Sequence, residues 1–576
     1  MQGLDNQSVL ILGLGDSGLA MARWCVRCGA RVKVLDTREA PPQLGLLRAE
    51  LPQVSFVHGS FDASWIEGQD VRAVFKSPGL SPETVAPLWL AAVSAGLWVG
   101  TELTLFAQAL NELKLSRNYH PKVLAITGTN GKTTVTSLTA QLLERAGLRV
   151  AMAGNIGPTL LDTLSQALDL AEAEQTQAEI QALENTAKEL AQEPDMAAHP
   201  QPETPAQESI EGLEPDAETQ DTAFEPDLPP FVPPPPPPPP PDDPYLPQAW
   251  VLELSSFQLE GVDNFEPTAA TVLNVTQDHL DWHGDMSAYA SAKARIFGKE
   301  ATLLLNREDP LVMAMLPEPI RAKLQKPIYR NSLSFGADMP QRPGDYGLET
   351  VNGMTWLVRA QEADETRKKK RGVADEEEIF IQRLMPADAL RIRGRHNALN
   401  ALAALALASS TQAQLAPMLF GLREYRGEPH RAESVTILQG VEYFDDSKGT
   451  NVGATVAALN GLGVERRLVV ILGGDGKGQD FAPLQPAIAQ FARAVVLIGR
   501  DAPLLRQALQ DSAVPLHDAA SLQEAVTLCQ NLAKEGDAVL LSPACASMDM
   551  FRNYAHRAEV FVQAVQDLTV QAGGLT

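Results

Sequence analysis

The strongest constraint on this chain is a pair of glycine-containing turns, each leading from an apolar strand into a helix. The first, Gly13-Leu-Gly-Asp-Ser-Gly18, follows the run Ser8–Leu12 and opens a helical pattern reaching about Cys28. The second, Thr127-Gly-Thr-Asn-Gly-Lys-Thr-Thr134, follows Val123–Thr127 and opens a helical pattern over Thr133–Ala146. A buried strand that turns tightly into a helix commits the chain to layered α/β packing. It also aims unpaired backbone N–H groups at whatever anion sits before the helix. Two such turns point to two phosphorylated ligands.

Their chemistry differs. Behind the first turn, Asp36 closes the strand Arg31–Asp36, close to the separation used to bind a ribose hydroxyl in dinucleotide folds. Any diphosphate-linked nucleoside suits that turn, and a nicotinamide dehydrogenase is one reading of it. In the second turn, Lys132 can hold β- and γ-phosphates and Thr133 can ligate magnesium. Ile126 stands where a full Walker A motif has its first glycine. A dehydrogenase would use the first turn and leave the second idle.

The 576 residues exceed one core and suggest three α/β domains, at 1–100, 101–427 and 428–576. The first and third read as Rossmann-like and the second as P-loop ATPase-like. Further strands are expected at Trp250–Leu254, Ala270–Val275, Leu468–Leu472, Ala494–Ile498 and Ala538–Leu541, with a helix at Ala398–Ser409. Their alternation with helices predicts mostly parallel, doubly wound sheets. About residues 165–247 interrupt this pattern. The segment is rich in Glu, Gln, Ala and Pro, and it includes nine successive prolines, Pro233–Pro241. Such a composition predicts disorder with a stiff polyproline end, and a transient helix over about 168–192. It is either a tolerated insertion, the favoured reading, or a docking ligand for an unknown partner. The charged run Asp364–Glu378 reads as a solvated hairpin tip.

The formal net charge is −25, which argues against a nucleic-acid binder. Residues 166–247 hold 19 acidic residues against one lysine, Lys188, so the rest of the chain is only about −7. No run approaches a membrane span, the first residues do not read as a signal peptide, and four cysteines suit a reducing cytoplasm. Cys25 and Cys28 form a CxxC, but no second pair lies nearby to complete a metal site.

Beyond the second turn come Gly154-Asn-Ile-Gly157, Glu253-Leu-Ser-Ser-Phe-Gln258, Asn274-Val-Thr-Gln-Asp-His279 and Gly394-Arg-His-Asn-Ala-Leu-Asn400. In order and spacing these resemble the Mur ligases, over nearly the whole chain apart from the insertion. Asp445-Asp-Ser-Lys-Gly-Thr-Asn451, Ser542-Pro-Ala-Cys-Ala-Ser-Met-Asp549, Asp36-Thr-Arg38 and Ser77-Pro-Gly79 resemble the branch that adds D-glutamate. The resemblance implies ATP-dependent joining of D-glutamate to UDP-N-acetylmuramoyl-L-alanine through an acyl phosphate. It further implies magnesium, with two ions expected, and a cytoplasmic monomer working in peptidoglycan precursor synthesis. A Mur ligase for another amino acid and a non-catalytic scaffold around the proline tract are the remaining alternatives.

The resemblance also implies roles. Gly128, Thr129, Asn130, Gly131, Lys132, Thr133 and Thr134 would cradle ATP, with Asn397 and Asn400 at adenine. Arg431, Asp446, Lys448 and Asp475 would reach ATP from the third domain. Thr133, Glu253, His279 and a carbamylated Lys293 would hold metal, and Lys132, Glu253, His279, Lys293 and Arg431 would serve catalysis. Gly15, Asp16, Ser17, Asp36, Thr37, Arg38, Ser77, Pro78, Gly79 and Asn155 would bind the uridine nucleotide. Lys448, Thr450, Lys477, Ser547, Met548 and Tyr554 would bind D-glutamate. Tyr554 stands where the family is expected to carry phenylalanine.

Overall fold

The computed structural model describes residues 3–192, 243–321, 327–362, 379–464, 466–571 and 573. It divides into two compact units, Met1–Leu168 with Leu246–Thr576, and Asp169–Tyr245.

The larger unit contains three sheets. The first runs β3-β2-β1-β4-β5, from β1 Ser8–Leu12, β2 Arg31–Asp36, β3 Ser55–His58, β4 Ala73–Lys76 and β5 Trp98–Thr101, and all its pairings are parallel. The central sheet uses β6 Lys122–Thr127, β7 Val150–Gly154, β8 Ala249–Glu253, β9 Ala269–Val272, β10 Thr302–Asn306, β11 Ser332–Phe335, β12 Tyr346–Val351, β13 Met354–Glu362 and β14 Ile379–Pro386. Its order is β14-β13-β12-β11-β10-β9-β6-β8-β7. The third runs β15-β16-β20-β17-β18-β19, from β15 Glu433–Leu438, β16 Val441–Asp445, β17 Leu468–Gly473, β18 Ala492–Ile498, β19 Leu516–Asp518 and β20 Ala538–Leu541.

The central strands β6, β8, β17 and β20 read as continuous apolar runs because helices cover both faces of their sheets. Helices Lys132–Arg145 and Arg395–Ser409 supply one such cover, burying Leu138, Leu142, Leu402 and Leu405 against Leu124 and Val251. At two places the pattern departs from the parallel expectation. Strands β12, β13 and β14 form an antiparallel edge on the central sheet, and β15 pairs antiparallel with β16. These strands follow short turns such as Asn352-Gly353 and Gln439-Gly440, whose positive φ values favour hairpins over helical crossovers. The expected strand Ala270–Val275 ends at Val272, where the chain turns so that Leu273 donates to the Thr127 carbonyl at 2.9 Å.

The interruption begins with the helix expected over about 168–192, which starts earlier, at Leu160. Helix Leu160–Gln192 continues unbroken past Ser165, consistent with its wealth of Ala, Leu, Glu and Gln, which are strong helix formers. In the smaller unit this helix carries internal links such as Gln175 Nε2 to Glu179 Oε1 at 3.1 Å. The remaining acidic segment with its proline tract, 193–242, and the charged run 364–378 lie outside the described residues. Among the described residues no helix is long and apolar enough to cross a membrane, and all four cysteines are free.

Candidate active site

The chemistry gathers at the C-terminal ends of the parallel strands, where open α/β sheets leave crevices. Register makes this concrete: Glu253, the last residue of β8, stands opposite both Ile126 of β6 and Gly154 of β7. The loop after β6 therefore passes directly beside the Glu253 carboxylate.

That loop is held in shape from outside itself. Gly131 sits at φ 83°, and a Cβ there would lie 2.8 Å from Asn400 Oδ1, so a side chain would strain the backbone and crowd the cleft. Asn274 clamps Asn130 twice, accepting its N–H at 2.8 Å and donating to its carbonyl at 3.0 Å. Thr129 is buried; its hydroxyl donates to the Thr276 carbonyl at 3.2 Å and lies 3.3 Å from the Tyr289 hydroxyl. Neither Asn274 nor Tyr289 was assigned a role from sequence, although Asn274 opens a recognised motif. Lys132 donates to the Gly128 and Thr129 carbonyls, each at 3.0 Å. Burial draws its pKa below the ordinary lysine value, against the opposing pull of Glu253.

Glu253 is 2% exposed. Its Oε1 accepts from Asn155 Nδ2 at 2.7 Å, while Oε2 is buried with no hydrogen-bond partner among the described residues. Lys293 is also buried, donates to the Gly128 carbonyl at 3.0 Å and sits 4.5 Å above the Tyr289 ring. Burial, reinforced by Lys132, holds its pKa well below the ordinary value, although Asp278 opposes this. A carboxylate oxygen without a hydrogen-bond partner, the Thr133 hydroxyl and an amine whose charged form burial disfavours fit a cation beside the loop. His279, at φ 52°, packs edge-on against Phe257 with ring centroids 4.8 Å apart. It lines a smaller cleft of about 100 Å³ together with Lys477.

The third sheet reaches this loop directly. Arg431 Nη2 donates to Thr133 Oγ1 at 2.6 Å, and Asn451 Nδ2 donates to Asn130 Oδ1 at 3.2 Å. Between the sheets lies a cleft of about 130 Å³ whose lining includes Gly131, Asn397, Asn400, Arg431, Asp446 and Lys448. Asn400 donates to Asn397 at 3.1 Å, and Asp446 accepts from Ser542 Oγ at 2.7 Å. Burial pushes the Asp446 carboxyl up to about 7, outweighing the Ser542 hydrogen bond and the Arg431 charge. Lys448 Nζ lies 3.8 Å from the Tyr554 ring centroid, so the aromatic ring at that position holds a cation. Asp475 does not line this cleft; its carboxylate binds Arg500 and the Lys477 N–H. Thr450 donates its N–H to the Lys448 carbonyl, Ser547 is buried at the turn after β20, and Met548 beside it is exposed.

A second cleft, of about 570 Å³, lies between the first and central sheets. Its lining includes Asp16, Ser17, Pro78, Gly79, Asn155 and Phe257. Gly15 caps the helix Asp16–Arg27, so N–H groups face this space. Asp36 is not in its wall. It is 1% exposed and accepts from Leu14 N, Arg38 N, Arg38 Nε and Arg38 Nη2 at 2.7–2.9 Å. Burial raises its pKa, but the Arg38 and Leu14 hydrogen bonds prevail and hold it below the usual range. Asp36 thus shapes the first turn. The Ser77 hydroxyl does likewise, donating to the Gly13 carbonyl at 3.1 Å, and the Thr37 carbonyl lies 3.1 Å from His58 Nε2.

A phosphate-binding loop beside a buried carboxylate, with one cleft continuing from the loop and a separate, larger one beyond it, defines a nucleotide-binding α/β enzyme with room for a second ligand. Family models specify which kind. The Mur ligase middle domain matches residues 126–202 and 246–408, the Mur ligase glutamate ligase domain residues 430–545, and the MurD-like N-terminal domain residues 7–99. The chain belongs to the Mur ligase family. It is 58% identical to the UDP-N-acetylmuramoylalanine--D-glutamate ligase of Albidiferax ferrireducens, over 100% of this chain and 98% of that protein. It is 49% identical to the enzyme of the same name from Burkholderia thailandensis, over 98% of each. The MurF ligase of Thermotoga maritima, crystallised with ADP, shares the fold at 14% identity and a TM-score of 0.51, over 98% of this chain and 96% of that one.

Proposed function

We propose that this chain joins D-glutamate to UDP-N-acetylmuramoyl-L-alanine at the expense of ATP, in the building of peptidoglycan precursors. The observation that carries the reading is full-length identity to ligases of that name, together with a phosphate loop flanked by two ligand clefts. Residues 1–100 take the uridine nucleotide, 101–427 take ATP, and 428–576 supply the amino-acid site.

In the first step the alanyl carboxylate oxygen attacks the γ-phosphorus and ADP departs, leaving an acyl phosphate. The D-glutamate amine, having lost one proton from its ammonium form, then attacks the acyl carbon. The C–N bond forms, the bond to phosphate breaks, and the nitrogen gives up a second proton. Such chemistry asks mainly for positioning and charge neutralisation. Gly128 to Thr134 supply amides, a lysine and hydroxyls to ATP, and Asn397 and Asn400 stand in the adenine cleft. Lys132 and Arg431 meet phosphate charge from opposite sides of the loop. Asp446 stands in that cleft, and Asp475 orders the neighbouring strand-end loop through Arg500 and the Lys477 N–H.

Thr133, Glu253, His279 and Lys293, once carbamylated, would hold magnesium, which neutralises phosphate charge when bound. Carbamylation needs the neutral amine, the form that burial favours at Lys293; that form adds carbon dioxide and releases a proton. Gly15, Asp16, Ser17, Pro78, Gly79 and Asn155 contact the uridine nucleotide, while Asp36, Thr37, Arg38 and Ser77 shape its turn. Lys448, Lys477, Thr450, Ser547, Met548 and Tyr554 receive D-glutamate, whose two carboxylates need cations and N–H donors. We place the enzyme in the cytoplasm as a monomer, with the proline tract a tolerated insertion.

The test is phosphate release from ATP, magnesium and UDP-N-acetylmuramoyl-L-alanine, with D-glutamate compared against L-glutamate, L-alanine and a diamino acid. Release confined to D-glutamate is expected. Release with another amino acid overturns the choice of acceptor, and no release with any overturns the reading.

A further inference from the structure

The walls of the 570 Å³ cleft come from different parts of the chain. Helix Asp16–Arg27 and the turn Pro78-Gly79 stand on one side, and Asn155–Asp162 with Ser255–Gln258 on the other. One buried side chain outside the cleft reaches both. Glu102 opens helix Glu102–Arg117, directly after β5, and is 2% exposed. Its carboxylate accepts from the Leu161 N–H at 3.1 Å, and the Leu160 N–H and the Ser17 hydroxyl stand beside it and favour its charged form.

Leu160 and Leu161 begin one helix and Ser17 lies in the first turn of another. The carboxylate therefore satisfies an N–H group that a helix start leaves without an intrahelical partner, and it stands beside a side chain of the facing wall. Its own helix does not need it, since the Thr104 hydroxyl already accepts the Thr101 N–H at 3.1 Å. A second tie runs parallel to the first. Arg23 donates to both Asp162 oxygens, at 3.0 and 3.1 Å, and Asp162 accepts from Thr159 at 2.9 Å.

We infer that Glu102 is a positioning residue for the uridine nucleotide: by holding Ser17 and the Leu160–Leu161 turn to one carboxylate, it sets the separation of the two walls that grip this substrate. The inference rests on assigning the cleft to that substrate. Glu102 does not line the cleft, so it acts through Ser17 and the backbone of the opposite wall. Burial pushes its carboxyl up to about 7, with Asp162 adding to the rise and the Ser17 and backbone bonds opposing it. Keeping an acid in such a place costs stability, and that cost concentrates where geometry matters to function.

Steady-state kinetics of the full chain test this, with each of the three substrates varied in turn. Saturable dependence of the wild type on UDP-N-acetylmuramoyl-L-alanine is established first; its absence would refute the cleft assignment and leave the role of Glu102 aside. Given that dependence, Glu102→Ala is expected to raise KM for the nucleotide at least tenfold. Its kcat and its KM for ATP and D-glutamate stay within about twofold. Glu102→Gln keeps an oxygen for the Leu161 N–H and recovers the nucleotide KM to within about threefold. An unchanged nucleotide KM in Glu102→Ala, or all three KM values and kcat moving together, overturns the inference. Should Glu102→Ala fail to fold, Glu102→Asp decides by the same split, because a carboxylate one methylene shorter cannot span both walls.

Discussion

Gly461 offers a perturbation whose effects on stability and turnover have opposite signs. It is the penultimate residue of helix Val452–Leu462, in the third domain, and it packs against helix Arg395–Ser409 of the central one. A Cβ at 461 would fall 2.5 Å from His396 Cε1, closer still to Nδ1, and 3.6 Å from Gly394 Cα. These three nearest atoms all belong to the central domain. Gly461→Ala therefore penalises the joined arrangement and not the third domain's own fold. Overpacking of this kind costs about 1–3 kcal/mol, which at about 1.4 kcal/mol per tenfold lowers kcat roughly 5- to 150-fold if turnover requires the domains to meet. Meanwhile the helix gains up to about 1 kcal/mol from losing a glycine, raising Tm by a few degrees at most. Phosphate release at saturating substrates and a thermal melt of the same preparation measure both. Wild-type kcat would refute the claim that this contact forms during turnover. A Tm falling by several degrees would refute the claim that it lies outside the third domain's core.

Other outcomes follow from the site. Glu253→Gln removes a buried oxygen that has no hydrogen-bond partner; turnover should fall on the order of 10²- to 10³-fold while the urea midpoint holds or rises, and a fall in both would make Glu253 a stabilising group. Lys293 is held well below the ordinary lysine pKa by burial, so activity should drop in enzyme stripped of carbon dioxide and return with bicarbonate, a response that Lys293→Met abolishes; a stripped wild type of full activity refutes the carbamate. Because Glu102 is raised from 4.5 to about 7 in the fold, its contribution to stability is complete below about pH 4.5 and is lost as pH climbs through about 7. The loss is on the order of 3 kcal/mol. The difference in urea stability between wild type and Glu102→Gln should shift by that order between pH 5 and pH 8, and a difference constant with pH refutes it.

Much of this was legible because the chemistry is local. A glycine at positive φ and a lysine opening a helix can be read within a few residues, and so the loop Gly128–Thr134 stood out before any fold was known. Glu253 could be read as a strand end from the apolar run before it. Asp36 was legible as a special position but not as a buried one: its bonds to Leu14 and Arg38 take up the carboxylate that spacing alone would offer to a ribose. Asp475 was expected at ATP from its place in a strand-end loop; its carboxylate pairs with Arg500, and it does not line the cleft that holds Asn400.

The apolar periods, glycine turns and motif order determined by themselves three α/β layers, a phosphate loop and the family. Tertiary structure alone decided which side chains hold that loop and join its neighbours. The Asn274 clamp acts across 144 residues, the Asn130–Asn451 contact across 321, and the Glu102–Leu161 bond across 59. Backbone propensity is set by neighbours in the chain, whereas a side-chain hydrogen bond depends on where two distant elements come to rest. Their meeting is fixed by the packing of whole layers, which no short window of sequence contains.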